Sequence, residues 1–452
     1  MTGTRPGTDV ILDSACLLDR LAALTGSDRA SRWLVAFSGG IDSAVLLHAL
    51  CHASAIDRSK IIAIHIDHGL HPDSGDWALH CRQVADQLGI ASIIRQVTID
   101  DQSGSSLEAA AREARYAVLS AAMNQGDCVL SAHHQDDQAE TLLLNLMRGS
   151  GTAGLAGIGA VQRFGCGRLL RPLLGVRGEA ILDYAQRHDL VWIDDPGNED
   201  RRFDRNFLRR EIMPQLAARW PAVTARLGHS AALASEGSAL LRELADIDIG
   251  GAGSAERLDL AAVRGLSRAR QRNLLRRAVA LCGLPPAPAT RLHQAVHELI
   301  PAREDAQPLV CWQSAELRRY RDRLYVMAAL SAPPVAPVQA LRPGASLDLG
   351  PGMGTLRLAA GVGGGIDSAL AAAGLTIRFR HGGEEIRPAG RECTHKLKKL
   401  MQQEGIVPWM RERLPLLYAG EDLVAVADLW IAAGCCRRDG YGVSWSHRLP
   451  LN

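Results

Sequence analysis

Lysine is nearly missing from this chain: among its 51 basic residues only Lys60, Lys396, Lys398 and Lys399 are lysines, and arginine supplies the rest. Positive charge is therefore almost always a guanidinium, the planar fork that suits carboxylates and phosphates. Three of the four lysines fall in the single run THKLKKL, which marks that segment as unusual. Net charge is also lacking, at +2 over 452 residues, which excludes a supercharged nucleic-acid tail. No run approaches the roughly 20 apolar residues that a membrane span needs. The opening MTGTRPGTDV has no charged-then-apolar signal layout, so the expectation is a cytoplasmic chain with no membrane partner. Ten cysteines are scattered with no CxxC pair, and they are expected to be reduced and mostly buried. What remains is ordinary globular composition, 47% hydrophobic and 22% charged. Such a length suggests roughly two to four domains.

Between positions 33 and 195 apolar runs alternate with helical patterns. WLVAF, IIAIHI, ASIIRQVTI, DCVLSA and LVWID read as strands; DSAVLLHAL, GDWALHCRQVADQL, SLEAAAREARYAVLSAAM, DDQAETLLLNLMR and GEAILDYAQR read as helices. This alternation predicts an α/β fold with a doubly wound parallel sheet, whose ligands bind beyond the carboxyl ends of the strands. From Pro221 the pattern becomes helical to about position 300, and ELRRYRDRLYVMAAL closes that region as a strand-like passage. The proline-rich SAPPVAPVQALRPG precedes a small mixed α/β segment. The expected division is a catalytic domain at 1–218, a helical domain with its connecting helix at 219–332, and a C-terminal domain at 345–452.

Ser38-Gly39-Gly40-Ile41-Asp42-Ser43 lies between the first strand and the first helix of that pattern. Two glycines let successive N–H groups turn inward, two hydroxyls add donors, and the helix N-terminus attracts an anion. No lysine follows, so the loop is not of Walker type. A near-copy, Gly363-Gly364-Gly365-Ile366-Asp367-Ser368, leaves too few residues before LTIRFR for the helix a phosphate cradle needs, and is read as coincidence.

Four further clusters converge on the same sheet edge. His65, Asp67, His68 and Gly69 end the second strand. Ser105-Ser106-Leu107-Glu108 opens a helix as a capping box, with Glu108, Arg112 and Arg115 on one face. His133-His134 ends the fourth strand, and Asp136, Asp137 and Glu140 follow; two carboxylates aimed at a phosphate site can hold Mg²⁺ or receive a cationic amine. Arg201, Arg202, Arg205, Arg209 and Arg210 crowd one short segment as a phosphate-contacting edge, and Arg264, Arg268, Arg270, Arg272, Arg276 and Arg277 make a second arginine face. A zinc site from His65, His68 and His71 is disfavoured, because that spacing straddles a strand end.

Strand, SGGxDS and helix together resemble the pyrophosphate-binding loop of the ATP pyrophosphatases, the PP-loop superfamily. SGGIDS, HIDHGL, EAAAREARY, AHHQDDQAETLLLNLMRGSGTAGLAGI, RPLL and DPGNEDRRFDRNFLR, in that order over about 33–215, are similar to the tRNA(Ile)-lysidine synthetase family. FRHGGEEIRPAGRECTHKLKKLMQQEGIVPWMRERLPLLYAGEDLVAVADLWI resembles the C-terminal domain of its longer form. One departure is Gly197, where a serine is usual after Asp-Pro.

The resemblance implies a ligase that adenylates the wobble cytidine of a CAU-anticodon isoleucine tRNA with ATP. Free L-lysine then displaces AMP. It implies that Ser38 to Ser43 bind ATP, with Asp42 and Asp137 as Mg²⁺ ligands. It makes Arg112, Arg115 and Arg205 substrate or transition-state contacts, and it gives His133, Asp137 and Glu140 the task of ordering lysine and metal. Arg201, Arg202, Arg209, Arg387, Arg391, Lys396, Lys398 and Lys399 are the expected tRNA contacts. A homodimer is left open. The rivals are another PP-loop tRNA-modifying enzyme such as a thiolase, for which Cys51, Cys81 and Cys128 lack iron–sulfur or nucleophile partners, and a non-catalytic nucleotide-binding module, which would not need Asp137 and Glu140.

Overall fold

Trp33–Ala36 (β1) lies between two parallel neighbours, Ile61–Asp67 (β2) on one side and Cys128–Leu130 (β4) on the other, and this position creates the site. The computed structural model describes residues 11–26, 30–69, 71–97, 107–303, 306–331, 338–350, 352–360 and 364–451, without the side chains at 107–109, 198 and 338–340. Residues 1–241 and 242–452 form two compact units.

In the first unit the sheet order is β3-β2-β1-β4-β6-β5, with β3 at Ala91–Gln96, β5 at Val161–Phe164 and β6 at Gly167–Leu170. All pairs are parallel except the β5–β6 hairpin at the edge. The chain winds outward from β1 in both directions, so the order reverses between β1 and β4, where a crevice must open. Both faces are covered, and Leu34, Val35, Val129 and Leu130 are fully buried. Ile41–Cys51 (α2) is buried from Ser43 to Leu47 and from Ala49 to Cys51, as a helix between sheet and neighbours must be. Ser74–Leu88 (α3), Leu107–Ala121 (α4) and Gln135–Met147 (α5) complete the crossovers after Ser14–Thr25 (α1).

The sheet departs from the expectation in one place. LVWID is not a strand; it runs as an irregular segment whose Ile193 N–H donates to Gly39 O at 3.0 Å. The remaining strands come instead from the VQRFGCGRLL hairpin, where Gly165 adopts φ +52° and a Cβ on Gly167 would lie 2.1 Å from Asp127 O. The capping residues Ser105 and Ser106, and the side chain of Glu108, lie outside the described residues.

After the one-turn α6 (Thr152–Leu155) and Gly178–Arg187 (α7), the chain forms Asp204–Phe207 (α8), a π-helical turn at Leu208–Ile212, and Met213–Arg219 (α9). Pro214 has no N–H for the carbonyl of Arg210, and the helix widens immediately before it. The thirty-residue Val223–Ala252 (α10) crosses from the first unit into the second.

The second unit opens with helices and a four-stranded antiparallel sheet, Arg257–Asp259, Arg323–Ala328, Ala315–Tyr320 and Leu309–Trp312 in spatial order. Beyond position 338 lie two five-stranded antiparallel sheets and the helix Leu397–Gln403. Trp409 joins the two parts. Its ring stands edge-on to Tyr325 at 5.0 Å, Arg318 lies over it at 5.2 Å, and Arg411 donates to the Tyr320 hydroxyl at 2.8 Å.

The SGGIDS look-alike does form a six-residue helix, Ser368–Ala373, but the Asp367 carboxylate accepts the Ala369 N–H at 2.9 Å and fills its N-terminus. Gly365 answers to strand packing, since a Cβ there would lie 2.5 Å from the Gly440 and Tyr441 carbonyl carbons.

Candidate active site

The turn after β1 is held from within. Ser43 Oγ donates to Gly40 O at 2.9 Å, accepts the Ser38 N–H at 3.2 Å and lies 3.1 Å from Ser38 Oγ. Gly39 has φ +88°, which L side chains resist, and a Cβ there would meet Ile193 Cδ1 at 2.5 Å and Cys81 Sγ at 3.0 Å. Gly40 caps α2 without any side-chain hydrogen bond, so the N–H groups of the first turn keep no side-chain acceptor at the cap. The result is a rigid, electropositive backbone concavity with Asp42 at its rim.

At the end of β4, His134 occupies the N-cap of α5, and its own backbone N–H donates to Asp137 Oδ2 at 2.9 Å. The His134 Nε2 lies 3.7 Å from Asp42 Oδ1 and 3.6 Å from Asp137 Oδ2, and Nδ1 lies 3.5 Å from Asp136 Oδ2. Burial opposes charging of this imidazole, yet Asp136, Asp137 and Asp42 outweigh it and push its pKa up to about 9. One imidazolium thus sits between the loop after β1 and the helix after β4. Burial raises the pKa of Asp42; at Asp137 burial is outweighed by His134 and Arg205, which hold that carboxyl below its usual range.

Asp137 and Glu140 are both buried, and two arginines from the next helical segment close on them. Arg205 Nη2 meets Asp137 Oδ1 at 2.8 Å and its Nε meets Glu140 Oε2 at 2.8 Å. Arg209 reaches the same two carboxylates at 3.0 and 2.6 Å. Arg209 was expected on a phosphate-contacting edge; the structure turns it inward, because i and i+4 share a helical face with Arg205. The rest of that edge is also engaged: Arg201 with Glu211 at 2.8 Å, Arg202 with Asp200 at 2.6 Å, Arg210 with Glu199 at 3.1 Å.

His133 lies beside the acids. Burial lowers its pKa to about 4, Asp137 opposes this, and Arg171, Arg205 and Arg112 add to it. Its Nδ1 is 2.9 Å from Ser131 Oγ. Arg112 donates to the Tyr116 hydroxyl at 2.9 Å, and Arg115 acts on His68. His65 is buried against Phe37 O at 3.0 Å and Cys81 Sγ at 3.2 Å, supporting the loop from below. His71 stacks on Trp77. Sequence reasoning passed over His134, whose signal was the cap position before QDDQ, and Arg171, a buried guanidinium that donates to Gly159 O at 2.6 Å and to Gln162 Oε1 at 3.2 Å.

In the second unit Arg387, Arg391, Lys396, Lys398 and Lys399 are all exposed, Arg391 lying 3.8 Å from Glu404, and Arg378 and Arg380 pair with Glu421 and Glu384. On the other arginine face Arg264 holds Ile300 O, Arg270 holds Asp248 and Arg277 holds Asp246, leaving Arg268 and Arg276 exposed. The ten cysteines are free thiols, but only Cys51, Cys81 and Cys128 are buried and Cys166, Cys311 and Cys393 are exposed, which corrects the expectation of mostly buried thiols. Among the described residues no helix is long and apolar enough to cross a membrane.

A glycine-turn anion cradle at the switch point of a doubly wound sheet, faced by carboxylates from the next crossover, defines a PP-loop domain, and the family model of that name matches residues 15–216. Two more family models match, the TilS substrate binding domain at 258–325 and the TilS substrate C-terminal domain at 375–445. The tRNA(Ile)-lysidine synthase of Alkalilimnicola ehrlichii is 43% identical over 91% of this chain and 93% of its own length. Those of Coxiella burnetii and Methylococcus capsulatus are 40% and 42% identical, each over 92% of this chain and over 92% and 96% of their own lengths. The chain belongs to the tRNA(Ile)-lysidine synthase family and is an enzyme of ligase type. Among solved structures, the U34-tRNA thiolase NcsA of Methanococcus maripaludis is similar at 17% identity, covering 48% of this chain and 78% of that one, with a TM-score of 0.41.

Proposed function

We propose that this enzyme joins free L-lysine to the wobble cytidine of an isoleucine tRNA with a CAU anticodon, at the expense of ATP. The observation that carries the reading is the convergence of Asp42 and Asp137 on His134, at 3.7 and 3.6 Å, which sets the anion cradle against the acid pair. The Ser38–Ser43 turn receives the pyrophosphate portion of ATP through backbone N–H groups and the N-terminus of α2. The two carboxylates are hard oxygen donors that fit Mg²⁺, which takes one or two protein carboxylates and completes its shell with phosphate and water. When bound there, the ion would neutralise charge on the transferring phosphates. Asp42 and Asp137 would hold it.

Adenylation moves AMP onto the cytosine carbonyl oxygen and releases pyrophosphate. Arg112 and Arg115, on one face of α4, supply the positive charge that this step and the departure of AMP require. The ε-amine of lysine then attacks the activated carbon and expels AMP. Asp137 and Glu140 favour a cation, as their two guanidinium partners demonstrate, and this supports their seating the lysine ammonium. The amine must lose protons in the process, and the groups placed to accept them are His133, Asp137 and Glu140. The exposed Arg387, Arg391, Lys396, Lys398 and Lys399 contact tRNA phosphates. The test is ATP-dependent incorporation of labelled lysine into CAU-anticodon isoleucine tRNA, with AMP and pyrophosphate released in equal amounts. Incorporation of sulfur, or ATP binding without lysine transfer, would turn the assignment to a thiolase or a binding module.

A further inference from the structure

The chain is poor in aromatics, 4% of its residues, with five phenylalanines and eight tryptophans. Nearly all of these are withdrawn from solvent. Among the described residues the exposed ones are Phe203, Phe207 and Trp220, at 39, 45 and 48% exposure; Phe203 and Phe207 lie among the crowded arginines, and Trp220 follows at the end of α9. Phe203 and Phe207 are joined by one helical turn, the Phe207 N–H donating to Phe203 O at 3.0 Å, so their rings emerge on the same face. Arg205, two positions from each, points the opposite way, into Asp137 and Glu140. One short helix therefore has its cations on the acid pair and its rings in water.

Exposing two phenyl rings side by side on a short helix costs hydrophobic free energy, and nothing in the packing of the first unit requires it. Their surroundings specify what covers them. Arg201, Arg202 and Arg210 flank the two phenylalanines in sequence and are exposed, each paired with a carboxylate, and Arg148 at the end of α5 lies 3.7 Å from Asp204. Guanidiniums interleaved with exposed aromatic faces are the physical signature of a surface for unpaired nucleic acid, where bases stack on rings and phosphates meet arginine. A protein partner would be served as well by leucine, and a duplex offers no free base faces to stack.

We propose that Phe203 and Phe207 form a stacking platform for unpaired bases of the RNA loop that flank the reacting one. The inference rests on the reading under Proposed function, in which the wobble cytidine of that loop reacts beside the acid pair that Arg205 contacts. Its neighbours then pass over the outer face of the same helix, and the two rings hold the loop splayed so that one base can turn inward.

The experiment uses the full chain with Phe203→Ala, Phe207→Ala, the double variant, Phe207→Leu and Phe207→Trp, each measured for tRNA affinity, ATP affinity and melting. Wild-type lysine incorporation first establishes the underlying reaction, so its failure is seen separately. Loss of each ring should weaken binding of the tRNA, and of its isolated anticodon stem-loop, by at least about fivefold. ATP affinity should not change, and the salt slope should stay that of the wild type, because no phosphate contact is removed. Phe207→Leu should behave like alanine and Phe207→Trp like the wild type, with tryptophan fluorescence quenched beyond the wild-type background when the stem-loop is added. Unchanged RNA affinity in the double variant would overturn the proposal. So would an unquenched Phe207→Trp, rescue by leucine, or a change of oligomeric state in place of a change in RNA binding.

Discussion

The carboxylate of Asp137 lies 2.8 Å from the guanidinium of Arg205, a residue 68 positions further along the chain. Glu140 and Arg209 complete the square. This buried acid pair is thus already satisfied by two cations of its own, and the proposed seating of a lysine ammonium there would require the arginines to yield oxygen lone pairs.

Asp137→Asn and Glu140→Gln should each lower stability by about 2 kcal/mol, since a buried charge-assisted hydrogen bond is lost and a guanidinium is left underpaired. Thermal unfolding checks this. In the reaction, both variants should need more lysine or stop after adenylated tRNA has formed. An unchanged lysine dependence in both would remove them from the lysine seat, and loss of adenylation alone would reassign them to the metal.

Asp42→Ala should leave the fold intact and reduce lysine incorporation by several orders of magnitude, because metal and pyrophosphate stabilisation are worth several kcal/mol in the transition state. Asp367→Ala is the matched control. Its carboxylate caps a six-residue helix, and ATP consumption should be that of the wild type.

His134 gives a stability profile with a definite sign. Its folded pKa, about 9, stands above the unfolded 6.5, so its contribution is fully present below pH 6.5 and is lost as pH rises through 9. Burial holds His133 and His48 near 4, so on the acid side the unfolded chain takes up protons first and stability falls from pH 6.5 toward 4. In Mg²⁺-free buffer the melting temperature should fall in both directions, and His134→Gln should flatten the alkaline limb alone. An alkaline limb of wild-type steepness in that variant would place the proton elsewhere.

Replacing Lys396, Lys398 and Lys399 by alanine should weaken tRNA binding and reduce its salt slope by up to about three phosphate contacts. ATP affinity should be spared. A wild-type slope would mean that this face of the helix Leu397–Gln403 meets only water.

Much of this was legible in the sequence because it depends on local rules. The glycine turn, the strand before it and the buried helix after it are fixed by period and by backbone freedom, and the acids of α5 by their place after a strand. LVWID misled because a short apolar run fits a strand as well as a cover, and only the long-range bond from Ile193 to Gly39 decides between them. The VQRFGCGRLL hairpin was missed for the converse reason: its inner strand is only four residues long and lies beside β4. Arg209 read as surface because a guanidinium run carries no mark of which members turn inward. That information lies in the helical phase relative to Glu140, which tertiary packing sets.

The socket around Trp409 bears on how the second unit would respond to cutting. The sequence places a proline-rich connection at 331–344, the pattern of a hinge between independent bodies. Yet Tyr320, Tyr325 and Arg318 on one side of it grip Trp409 and Arg411 on the other, and both sides belong to one compact unit. Covalent continuity there is then redundant: protease-nicked halves should copurify, and Trp409→Ala should let them part.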